Sequence, residues 1–150
     1  MPDVNFVLVG AWKDDAINYL RSIAPPNVTF TGWLSDNALL DYYRKATVYV
    51  QASLHEGFGM SVAEAMLAGC IPVITEAGAL AEVTGGLGIS ITEARPFLIA
   101  EAIEDALKYH DEVRVLIRER ILDRFTMQKR GQALERLIAP MLESASDASI

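Results

Sequence analysis

Two glutamates bracket a glycine-rich turn in the stretch Ser53 to Val73, "SLHEGFGMSVAEAMLAGCIPV". Glu56 precedes Gly57 and Gly59, and Glu64 follows eight positions later, in the opening of an expected helix. Gly57 and Gly59 lack Cβ atoms, so the backbone there can bend sharply and let a ligand come close. A helix beginning near Met60 would aim its free N–H groups and positive dipole end at the turn, a site suited to a diphosphate. A carboxylate at Glu56 would repel phosphate yet accept hydrogen bonds from sugar hydroxyls, and Glu64 could take two hydroxyls of a ribose. Sugar, diphosphate and ribose in that order make a nucleotide sugar. A structural alternative competes: Ser61-Val62-Ala63-Glu64 is also a capping box, in which Glu64 satisfies a backbone N–H of its own helix.

The elements that would position these groups alternate along the chain. Strands are expected at Val4–Gly10, Asn27–Gly32, Thr47–Ser53, Pro72–Thr75 and Gly88–Thr92, the first reading as buried on both faces. Helices fall between them. Ile17, Leu20 and Ile23 mark one that Pro25-Pro26 stops, and Ser35 or Asp36 caps another carrying Leu39, Tyr43 and Ala46. A short helical turn is expected around Leu80–Val83. After Pro96 the strands cease and three helical stripes follow: Ile99, Ile103, Leu107; then Val113, Leu116, Ile117; then Leu134, Leu137, Ile138 and Met141, with Thr126 as the last cap. The last stripe reads as packing, with a sticky face where a covering domain is lacking. The fold class is therefore α/β: a Rossmann-like parallel β-sheet with helices on both faces, five or so strands and C-terminal helices. Ligands of such sheets sit beyond the carboxyl ends of the strands, where Glu56 lies.

Composition narrows the function. The chain has 150 residues, 51% apolar, with a net charge of −7 and no basic run, so a nucleic-acid backbone is not expected as a partner. Cys70, the one cysteine, reads as core and fits a reducing compartment. The apolar run from Ala65 to Thr75 is broken by Gly69 and Pro72 and too short to span a membrane; Pro2 and Asp3 stand where a secretory leader would be basic. A cytoplasmic location is the expectation. His55 and His110 lie far apart with no ligand spacing around them, so no metal is expected. Tyr42, Tyr43 and Arg44 read as half core, half surface rather than as a stacking platform for bases.

"EGFGMSVAEAMLAGCIPV" resembles the E-x7-E signature of retaining glycosyltransferases of the GT-B fold, family 4, with Ser53, Glu56, Gly57, Phe58, Gly59, Glu64, Ala65, Met66, Gly69, Pro72 and Val73 in place. Glu82-Val83 and "RFTMQKR" resemble further family segments, the latter with Met127 where tryptophan is usual. The resemblance implies a donor-binding, C-terminal half of a two-domain enzyme, here residues 1–142, with 143–150 as a frayed tail. It implies that Glu56 contacts the donor sugar as the catalytic carboxylate. Gly57, Phe58, Gly59, Met60 and Ser61 would contact sugar and diphosphate, Glu64 the ribose, and Trp33 and Leu34 the base, although Trp33 also reads as a partly buried packing residue. The donor would be a nucleotide-diphosphate sugar with a mannose- or glucose-like hexose, used without cofactor or metal, the chain having no Asp-x-Asp. The acceptor would be a glycan, lipid or small molecule, and lipid acceptors would bring peripheral membrane contact. The chain departs from the family pattern at Val9–Asp14, where Trp12 replaces a glycine. It also starts after an upstream strand whose loop carries two cations; Lys13 is a weak substitute, better read as surface. The N-terminal acceptor domain is expected in the full enzyme, and the isolated chain is expected to be inactive. A non-catalytic nucleotide-binding or scaffold module of the same fold is the alternative.

Overall fold

The computed structural model describes residues 1–11 and 15–147, the last seven of these by backbone alone. Trp12, Lys13 and Asp14, the Met141 side chain and the end of the expected tail lie outside the described residues. Two compact units are formed, Met1–Ala46 and Thr47–Ile150.

The first unit runs β1 (Phe6–Val9), α1 (Ala16–Ile23), β2 (Val28–Gly32) and α2 (Asp36–Lys45). β1 and β2 are parallel, Phe6 opposite Val28 and Leu8 opposite Phe30, with the register slipping between Leu8 and Val9. Asn27 ties the start of the chain down, its side-chain amide donating to the Met1 and Val4 carbonyls at 3.0 and 2.6 Å. Ser35, not Asp36, caps α2: its Oγ accepts from the Ala38 N–H at 3.5 Å. Tyr43 is buried and Tyr42 exposed, as the half-core reading expects. The expectation that the first strand is buried on both faces fails. Val7, Leu8 and Val9 are 43%, 38% and 40% exposed, because β1 has one ladder partner and α1 buries none of its residues.

The second unit runs β3 (Val48–Gln51), α3 (Met60–Leu67), β4 (Ile71–Thr75), α4 (Leu80–Thr84), β5 (Ile89–Ile91), α5 (Pro96–Ala106), α6 (Asp111–Arg124) and α7 (Met127–Asp147). Its sheet is parallel in the order β3-β4-β5. β4, in the middle, is buried along its whole length, and Met66, Ile71, Ile74, Leu80, Val83 and Ile117 make the core around it. α3 ends in a Schellman motif, Gly69 N–H to Met66 O and Cys70 N–H to Ala65 O, both 2.9 Å. Three arginines of α6 finish the capping. Arg114 Nε donates to Gly69 O at 2.9 Å and Arg118 to Leu67 O at 3.2 Å, while Arg120 donates to the Val83 and Glu82 carbonyls at the end of α4.

All five expected strands exist and all are parallel, but they form two hydrogen-bonded sheets rather than one. Thr126 caps α7 as expected, accepting from the Lys129 N–H at 3.3 Å, and that helix runs on to Asp147, into the segment expected as tail. Its stripe does not pack: Leu134, Leu137 and Ile138 are 46%, 69% and 46% exposed. Helical periodicity supplies an apolar face but nothing to cover it.

Candidate functional site

The loop between β3 and α3 carries the two glutamates. α3 is capped by Gly59, which takes a left-handed conformation at φ +83° that L side chains rarely adopt; a Cβ there would also collide with the Leu80 side chain. This overturns the capping-box alternative. Ser61 is the second residue of the helix rather than its cap, and its hydroxyl donates to Gln51 Oε1 at 3.5 Å. Glu64 is exposed, and its carboxylate has no hydrogen-bond partner among the described residues. The N–H groups of Met60, Ser61 and Val62 likewise take no protein acceptor among the described residues, as the first turn of a helix requires when no side chain reaches back.

Glu56 is held instead of free. Its Oε1 accepts from the Gly57 N–H at 3.1 Å and its Oε2 from Gln51 Nε2 at 3.2 Å, leaving lone pairs on both oxygens. The loop behind it is pinned by Ala79 N–H to Gly57 O at 3.2 Å. Gly78 makes that approach feasible, since a Cβ there would overlap the Glu56 carbonyl. Gly57 faces open space on its Cβ side, Met60 is 63% exposed, and Phe58 is engaged elsewhere. The Phe58 ring packs edge-on against Phe125 with centroids 5.3 Å apart, and Arg120 covers the other ring's face at 5.8 Å. Phe58 therefore offers its backbone rather than its ring. Trp33 is 75% exposed, against its reading as a packing residue, and Leu34 is half-buried. Both belong to the first unit, the Glu56–Glu64 loop to the second.

Sequence reading missed Tyr49 and Gln51. The Tyr49 phenol donates to Gln51 Oε1 at 2.9 Å. Burial pushes its pKa up, the Ser61 hydrogen bond opposes this, and the nearby Glu56 and Glu64 charges add to the rise. A single alternation in "VYVQ" gives no signal for such a contact. An open cleft of about 220 Å³ lies past the carboxyl ends of β3, β4 and β5, lined among others by Ser53, Leu54, Thr75, Glu76, Thr92 and Glu93. Its charged lining is acidic, which suits hydroxyls and disfavours phosphate. Neither Glu56 nor the start of α3 lines it.

The remaining candidates are structural. Cys70 is fully buried, and burial pushes its thiol up to about 11 against the opposing pull of Arg114, which makes it a core group. His55 and His110 are exposed, and among the described residues no three His, Cys, Asp or Glu side chains group as metal ligands. Among the same residues no helix is long and apolar enough to cross a membrane.

Comparison with known proteins gives the family and the fold. Residues 1–109 match the family described as Glycosyl transferases group 1. Mannosylfructose-phosphate synthase of Agrobacterium fabrum (strain C58 / ATCC 33970) is 36% identical over 77 residues, 51% of this chain and 15% of that protein. O-antigen chain mannosyltransferase B of Escherichia coli is 32% identical over 80 residues, 52% of this chain and 21% of that protein. The matched segment is thus a small part of either relative's length. Among solved structures, sucrose-phosphate synthase from Thermosynechococcus elongatus superposes with a TM-score of 0.75 at 24% identity, covering 89% of this chain and 38% of that one. HepE of Anabaena, crystallised in complex with UDP-glucose, gives 0.71 at 24% identity, covering 96% and 42%. At such identity the likeness speaks to the fold, which is the Rossmann-like C-terminal half of a GT-B structure. Matched to the family across both units, the chain belongs to the group 1 glycosyl transferases.

Proposed function

We propose that this chain is the donor-binding half of a retaining glycosyltransferase, which moves a mannose- or glucose-like hexose from a nucleotide-diphosphate sugar to an acceptor. The observation that carries this reading is the start of α3, where the N–H groups of Met60, Ser61 and Val62, one turn from the Glu64 carboxylate, find no hydrogen-bond partner among the described residues, and neither does that carboxylate. The helix end takes the diphosphate, Glu64 the ribose, and Glu56 the hexose hydroxyls. As the glycosidic bond to the diphosphate breaks, amides of Gly57 to Ser61 receive the negative charge, so no metal is required in this reading. Glu56 orients the sugar and faces the positive charge growing on its ring. Trp33 and Leu34 contact the base, the exposed indole offering a stacking face. Relatives named as mannosyltransferases, and a structural neighbour crystallised with UDP-glucose, support the choice of hexose.

The acceptor, a glycan, lipid or small molecule, would be held by an N-terminal GT-B domain, and the enzyme would work in the cytoplasm, on a membrane surface where the acceptor is a lipid. Transfer needs donor and acceptor in reacting geometry with water excluded, so the isolated chain should show no appreciable turnover.

Titration of the isotope-labelled chain with UDP, GDP and ADP and their sugars, read by backbone amide NMR, tests the site. Millimolar binding, about −4 kcal/mol, is within reach of the method. Shifts concentrated at Gly57–Glu64 for one base, weakened severalfold by Glu64→Ala, are expected. Absence of shifts there with every nucleotide would overturn the reading and leave a scaffold module.

A further inference from the structure

We propose that Gln51 is the positioning residue for Glu56, aiming its carboxylate at the donor sugar through a five-residue hydrogen-bond cluster that closes the end of β3. The proposal rests on the reading of Glu56 as the sugar contact. It adds a residue outside the glycine-turn motif.

The amide of Gln51 uses both its ends. Its carbonyl oxygen accepts from the Tyr49 phenol at 2.9 Å and from the Ser61 hydroxyl at 3.5 Å. Its NH2 group donates to Ser53 Oγ at 2.6 Å and to Glu56 Oε2 at 3.2 Å. The orientation of this amide follows from its partners. Hydroxyls can donate or accept, but a carboxylate only accepts. Turning the amide over would set its carbonyl against the Glu56 oxygen, so the NH2 group must face Glu56. Gln51 itself is half-buried at the last position of β3, hydrogen-bonded into the sheet opposite Ile74, which makes it a rigid mount.

The cluster also joins the two sides of the turn. Ser61 lies in the first turn of α3 and Glu56 precedes the glycines, so one side chain fixes the carboxylate relative to the helix end. A carboxylate on a loop would otherwise sample several rotamers, each at a cost when one is selected on binding. With Gly57 N–H on one oxygen and Gln51 on the other, the plane of the carboxylate is set before the sugar arrives. The outward lone pairs remain for hydroxyls. The expected role is thus selective: Gln51 matters to the hexose and not to the nucleoside diphosphate, which meets the helix amides.

Binding of a nucleotide sugar and of the matching nucleoside diphosphate is compared by NMR titration of the whole chain, with UDP-glucose against UDP and GDP-mannose against GDP. Gln51→Met keeps the length and removes both polar ends. Gln51→Glu keeps acceptors for Tyr49 and Ser61 but turns a donor into a charge facing Glu56. The loss of one hydrogen bond to a charged group corresponds to about a tenfold rise in the Kd of the nucleotide sugar. Gln51→Glu should exceed Gln51→Met, while both leave the nucleoside diphosphate within about twofold. Amide spectra with unchanged dispersion establish that each variant is folded, and either folded variant suffices. Glu56→Gln separates the two levels. If it weakens the nucleotide sugar selectively but neither Gln51 variant does, Gln51 is a structural residue and the proposal is overturned while the site reading stands. If Glu56→Gln also has no selective effect, or the parent chain binds no nucleotide, the reading of Glu56 fails and the proposal falls with it.

Discussion

β1 and β4 are both short apolar strands, Phe-Val-Leu-Val and Ile-Pro-Val-Ile-Thr, and the two units treat them in opposite ways. β4 lies between two parallel partners beneath helices that bury Val62, Met66 and Leu80 to zero exposure, and no residue of it is more than 5% exposed. β1 has a single ladder partner among the described residues, and the helix that follows it has no fully buried residue, with Tyr19 and Ile23 at 65% and 59% exposed. Hydropathy gives a strand the capacity to be buried, but burial needs ladder partners and a covering layer. The second unit has both within itself. The first buries Tyr43 but leaves the apolar residues of its first strand partly exposed.

The sharpest way to break this contrast is truncation in β4. Ile74→Ala removes three carbons from a site 1% exposed and should cost about 3 kcal/mol in urea unfolding, since packing on every side resists collapse. A loss below about 1 kcal/mol would mean that the second unit's core is no better packed than the first. A smaller effect comes from Cys70, beside β4. Its thiol ionises near 9 when unfolded and about 11 when folded. Between those values the folded state keeps a proton that the unfolded state has lost, so this contribution to stability is complete below pH 9 and lost as pH rises to 11. Cys70→Ala should flatten the alkaline fall in stability, by up to about 2 kcal/mol near pH 11 relative to pH 8; an unchanged slope would show the thiol open to solvent. The smallest change is expected in β1. Leu8→Ala should alter stability by about 1 kcal/mol, as the residue already keeps more than a third of its surface in water. A cost equal to that of Ile74→Ala would erase the distinction between the units.

What could be read from sequence was local chemistry. Ser35 and Thr126 cap helices because a hydroxyl at that spacing reaches an N–H three residues on. The five parallel strands followed from apolar runs punctuated by glycine and proline, and Cys70 from its place between Gly69 and the strand. The glycine turn was legible too, but its competing reading at Ser61 and Glu64 was not resolvable. An S-x-x-E spacing does not say whether the helix starts at the serine or two residues earlier, and here the glycine takes the cap. The rest depends on partners distant in the chain. Phe58 turns to Phe125, Arg114 and Arg118 reach the end of α3 across more than forty residues, and Leu134, Leu137 and Ile138 of the α7 stripe stay exposed. Gln51 was hidden for a different reason, since its four contacts lie within ten residues but need the loop's geometry to converge.

The arginines of α6 have an electrostatic consequence at the opposite pole of α3. A short helix is a pair of opposed half-charges about 12 Å apart, and their fields largely cancel a few helix lengths away. Here Arg114 and Arg118 sit on the carbonyls at the negative pole and more than neutralise it. The positive pole at Gly59–Val62 is left without its counterweight, so its potential decays as that of a charge rather than of a dipole. An approaching diphosphate would therefore feel α3 from farther away than eight residues of helix would otherwise allow, within the roughly 8 Å reach that physiological salt permits.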